Sequence, residues 1–140
     1  MAIENLVFIA GLAQLAIALG SLAIPATLNW SSDVAKLRPL TRQVFWTYAG
    51  YIWTTNVFFG IVSICFPTEL SSGNNIAVAL SIFIAIYWGA RVIIQFTYFD
   101  RSDAPSGLQY MIAEILLVGT FISLTTIYGY SVWTNLGIDS

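Results

Sequence analysis

The 140 residues allow one domain, and a composition of 58% hydrophobic, 15% aromatic and 9% charged side chains lies far outside the range of water-soluble proteins. Five basic and seven acidic residues nearly cancel without forming a like-charge run, which excludes nucleic acid as a partner. No histidine is present and Cys65 is the single cysteine, so an intrachain disulfide and histidine-ligated haem, copper, zinc or di-iron centres are excluded.

The pattern predicts an all-α integral membrane protein: one domain, residues 1–140, in which four transmembrane helices run up and down at about 3–24, 44–66, 75–98 and 108–132. Each stretch is near the ~20 residues that cross a ~30 Å hydrocarbon layer. The first, from Ile3 to Ile24, has Glu4 as its only charge. It lacks a basic leader and is too long for the apolar part of a signal peptide, so it is expected to be a retained helix. At 100° per residue, Ala10, Gly11, Gln14, Ala18 and Ser21 share a small, polar stripe, and Pro25 ends the element.

The following connection is the long one, and Trp30 to Leu40 reads as a capped helical turn with apolar residues among charges. The second helix gathers Ala49, Asn56, Gly60 and Ser63 on one side before Pro67, Ser71, Ser72, Gly73 and Asn74 turn the chain. The third carries Ala77, Ser81, Ala85 and Gly89 at four-residue spacing, the pattern that lets another helix pack closely. Asp103, Pro105, Ser106 and Gly107 precede the fourth. Trp30, Trp46, Tyr48, Tyr98, Tyr110, Tyr130 and Trp133 fall near helix ends, where amphipathic rings favour the membrane interface.

Lys36, Arg38 and Arg42 lie in or beside the first connection and Arg101 in the third, whereas the second connection and the tail to Ser140 have no basic residue. That asymmetry predicts both termini outside the cytoplasm, and we expect a bacterial inner membrane as the location.

Polar side chains within the apolar stretches are the candidate binding residues: Arg91, Glu114, Gln95, Asn56 and Gln14. Gln14 and Asn56 lie at depths that let them pair near the midplane. Arg91 and Glu114 lie at matching depths on neighbouring antiparallel helices, which predicts an ion pair. The structural reading of both pairs is interhelical glue, worth about 1 kcal/mol for a neutral pair. No phosphate loop, dinucleotide fingerprint, HExxH metal site or nucleophile elbow occurs, and no catalytic residue or metal ligand is assigned.

A non-catalytic subunit or assembly component of a larger membrane complex accounts for these features with fewest assumptions. Its partners would be lipids and other integral subunits or copies of itself. One alternative is an oligomeric carrier or channel for a small solute or protons, using Arg91 and Glu114. Another is a binder or enzyme for an apolar lipid, isoprenoid, quinone or pigment held among Trp53, Phe58, Phe59, Tyr87 and Trp88.

Overall fold

Residues 2–100, 102 and 104–137 are described by a computed structural model, and no strand occurs among them. The helices are α1 (Ile3–Ser21), α2 (Ile24–Thr27), α3 (Trp30–Ala35), α4 (Pro39–Cys65), α5 (Pro67–Leu70), α6 (Asn75–Thr97) and α7 (Leu108–Asn135). Four stretches, Ile3–Thr27, Pro39–Cys65, Asn75–Thr97 and Leu108–Asn135, are long and apolar enough to cross a membrane. Arg101 and Ser140, used above to orient the chain, and Asp103 lie outside the described residues.

Local chemistry sets the ends. The ring of Pro25 clashes with a continuing helical carbonyl and brings no N–H. Leu22 and Ala23 accordingly bond three residues back, to Leu19 O and Gly20 O, before α2 resumes. A left-handed Asn29 (φ 56°) then starts α3. The second of the expected spans, α4, begins at Pro39, earlier than the expected residue 44, because proline at the first helical position has a suitable φ and lacks a donor that would go unused. It stops where Phe66 is forced out of helical geometry (φ −131°, ψ 47°) by Pro67. Asn74 caps α6 by accepting the Ile76 N–H at 2.8 Å. Gly107, at φ 121°, supplies the backbone bend into α7 that other residues resist.

The four long helices form a ring in the order α1, α4, α6, α7. Trp53 Nε1 donates to Ala18 O at 2.9 Å while Gly60 lies against Gly11, which sets α1 and α4 antiparallel. Asn56 meets Tyr87 and Phe59 meets Phe83, so α4 and α6 are also antiparallel. Gly89 faces Thr125 and Gln95 reaches Glu114 between α6 and α7. The ring closes where α7 packs on α1, and Asn135 Nδ2 ties the end of α7 to Leu70 O at 3.2 Å. One side differs: α4 and α6 hardly touch through their backbones and are joined by long side chains instead.

The core is a thin column including Val7, Ala10, Phe59, Ile84, Trp88, Phe121, Leu124 and Tyr128. Large apolar residues such as Leu19, Ile76, Ile86, Ile93, Ile115 and Leu116 project outward from the bundle. Contiguous apolar exposure on this scale marks an interaction surface and matches a lipid-facing exterior.

The backbones of α1 and α4 approach closely over their glycines. A Cβ on Gly11 would stand 2.9 Å from Gly60 O and 2.9 Å from Ser63 Cβ, and one on Gly60 would stand 2.8 Å from Leu15 Cδ2. The small-residue series of α6 is looser than its spacing suggests: Ala77 and Ser81 are buried, but a Cβ on Gly89 would meet Thr125 Cγ2 at an ordinary 3.4 Å.

Gly11→Ala should therefore destabilise the bundle by about 1–3 kcal/mol through overpacking, whereas Gly89→Ala should be nearly neutral. Thermal unfolding of the purified variants in detergent checks the order; equal losses would mean that α1 and α4 yield at no cost.

Candidate functional site

Each long helix contributes one member to a polar cluster in the sealed interior: Gln14 from α1, Ser63 from α4, Trp88 from α6 and Tyr128 from α7. Gln14 is fully buried and uses both halves of its amide. Its Nε2 donates to Ala10 O at 3.2 Å and to Tyr128 OH at 2.6 Å, and its Oε1 accepts from Trp88 Nε1 at 3.0 Å. An indole N–H only donates, so it fixes which end of the amide faces Trp88. Tyr128 OH also shares a hydrogen bond with Ser63 Oγ. Two of these links cross the ring diagonally, from α6 to α1 and from α7 to α4.

Gln14 and Asn56 are not paired in the structure. Asn56 instead accepts the Tyr87 hydroxyl at 2.7 Å across the seam between α4 and α6. The Tyr87 ring packs edge-on against Phe59 at 5.2 Å and Trp88 at 5.1 Å, filling space that the two backbones leave between them. Ser81 is buried, and its Oγ is the one buried side-chain polar atom without a hydrogen-bond partner among the described residues.

A second polar group lies nearer the α6–α7 connection. Arg91 Nη1 donates to Gln95 Oε1 at 2.9 Å, and Gln95 Nε2 lies 3.4 Å from Glu114 Oε1. The expected direct ion pair is thus replaced by an amide bridge. The Arg91 guanidinium sits over Phe99 at 4.9 Å and Phe121 at 5.2 Å, where ring quadrupoles stabilise its charge. Phe121 stacks on Trp88 at 5.1 Å and 16°, so the half-buried arginine and the sealed cluster share one aromatic stack. Glu114 also lines an open cleft of about 630 Å³ with Pro105, Ser106 and Tyr110.

Chemically, the inner cluster consists of neutral amide, hydroxyl and indole groups that satisfy one another. It can hold helices in register, but its sealed position gives a substrate no approach. The Arg91, Gln95 and Glu114 group, half-buried and charged, is the better placed of the two to meet an outside molecule. Among the described residues no three histidine, cysteine, aspartate or glutamate side chains come together as a metal would require.

Tyr128 and the hydrogen-bonding role of Trp88 were not anticipated. Their signal was position: aromatics that serve the interface belong at helix ends, whereas Trp88 and Tyr128 stand well inside α6 and α7.

Gln14→Leu should cost about 1–3 kcal/mol, because it strands the buried Trp88 N–H. Tyr128→Phe should then lose less stability in the Gln14→Leu background than in the parent, read by a double-mutant cycle on unfolding. Additive losses would mean that Ser63 alone holds the hydroxyl. Arg91→Leu and Glu114→Gln should likewise be coupled in the parent and independent once Gln95→Ala removes the bridge; coupling that survives would require direct contact.

No protein-family model matches this chain, and no match was found among the curated proteins or solved structures compared with it.

Proposed function

We propose that this chain is a non-catalytic integral membrane subunit that docks through the outer face of α7, against another integral subunit or a second copy of itself. The supporting observation is the character of that face. Of the four long helices α7 is the least covered, with 11% of its most apolar stretch buried. Gly119, Ser123, Thr126 and Gly129 lie exposed along it, and nothing stands within 4 Å of a Cβ placed on either glycine.

The Ser123 and Thr126 hydroxyls are already satisfied by Gly119 O and Ile122 O, each at 2.8 Å. They can face an apolar neighbour without an unmet hydrogen bond. Lipid alone would accept leucine at these positions as readily, while small residues let a second helix come close. A carrier has less support, because Gln14, Ser63 and Tyr128 seal the bundle rather than line an opening.

In this reading the bundle spans a bacterial inner membrane with both termini outside the cytoplasm. Lys36, Arg38 and Arg42 mark the cytoplasmic end, while Glu4 and Glu69 lie at the other.

Extraction in native-lipid discs, followed by mass measurement, should recover the chain with a partner or as an oligomer, and Gly119→Leu should release it as a folded monomer. Parent protein recovered only as a monomer would defeat the proposal.

A further inference from the structure

The seam between α4 and α6 widens toward α5 into a groove of about 370 Å³. Its walls are Val62, Phe66, Leu70, Ile76, Ala77 and Leu80, an almost wholly apolar lining. Polar residues enter only from the connection, as Glu69, Ser72 and Asn74. Ser72 Oγ donates to Glu69 O at 2.7 Å, and Asn74 Oδ1 is occupied in capping α6. The exposed Glu69 side chain is therefore the charged group at the rim.

We infer that this groove takes one acyl chain of a phospholipid whose headgroup carries a primary ammonium, with Glu69 receiving that ammonium. Three observations select this occupant. The walls offer no hydrogen-bonding group to a quinone or pigment ring, but they match a hydrocarbon chain. Farther along the same seam, the polar pair Asn56 and Tyr87 is bonded to itself. Charge supplies the third: α1 starts beside α5, so Glu4 and Glu69 share this end of the bundle, and no lysine or arginine accompanies them among the described residues. Among the described residues the charged side chains an anionic headgroup would meet there are carboxylates, whereas an ammonium meets an opposite charge.

The groove belongs to the α4–α6 seam and not to the α7 face. The inference rests on the bundle lying in a bilayer but not on the subunit reading, so either can fail alone.

The test uses the full chain in detergent, delipidated and titrated with phosphatidylethanolamine or phosphatidylglycerol of identical acyl chains, with bound lipid counted by native mass spectrometry. The parent should prefer phosphatidylethanolamine by about fivefold, the size of an exposed ion pair. Glu69→Gln, at an exposed position, should keep the bound lipid and lose the preference. Leu80→Trp should fill the groove and lose the lipid, while tryptophan at the outward-facing Ala79 should not. Equal binding of the two lipids by the parent, a preference surviving Glu69→Gln, or unchanged binding by folded Leu80→Trp would each overturn the inference. Lipid binding in a chain that extracts as a monomer would sink only the docking proposal.

Discussion

The bundle depends on one buried amide. Gln14 sits in the middle of a column of apolar side chains, where an unpaired amide costs several kcal/mol when nothing else can bond to it. Its two donors and its acceptor reach Ala10 O, Tyr128 and Trp88, which belong to three different helices including its own. Apolar packing between helices tolerates sliding and rotation, because one methyl group replaces another at small cost. Hydrogen bonds of fixed length and direction do not, so register in this bundle follows from where Gln14, Tyr128 and Trp88 must stand.

Around that point the helices divide the work. Between α1 and α4 the backbones come together over Gly11 and Gly60, and contact is gained by leaving side chains out. Between α4 and α6 the opposite solution applies: Phe59, Phe83 and Tyr87 bridge backbones that stay apart. A ring built with one tight seam and one wide seam is asymmetric, and the wide seam is where an apolar groove opens. Arg91 is held by the same aromatic system, stacked on Phe121, which itself stacks on Trp88. The guanidinium, an amide bridge and a carboxylate then form a graded polar series rather than a contact ion pair.

Much of the architecture was legible because helix length and apolar content depend only on local sequence. Four long apolar helices follow from the runs themselves, and the inward stripes of α1 and α4 follow from 100° periodicity: Ala10, Gly11, Gln14 and Ala18 are buried, as are Asn56, Gly60 and Ser63. What periodicity cannot supply is the choice of partner. Gln14 and Asn56 share a depth, but rotation of α4 turns Asn56 toward Tyr87, and the acceptor Gln14 offers is taken by Trp88. Arg91 and Glu114 lie on neighbouring helices, yet it is Gln95, one turn beyond Arg91, that bonds to both. The start of α4 at Pro39 and the break at Phe66 were marked by prolines whose effect is strictly local.

The clasp also has a direction in time. Gln14 and Ser63 are made in the first half of the chain, while the groups that complete their hydrogen bonding, Trp88 and Tyr128, belong to the second. During synthesis α1 and α4 can close over their glycines as an early hairpin, but the Trp88 and Tyr128 partners that Gln14 has in the finished bundle come only with α6 and α7. A nascent or truncated chain thus carries a buried-type polar group on an apolar helix with part of its hydrogen bonding still to be supplied. The same amide that gives the finished bundle its register leaves the unfinished one short of partners.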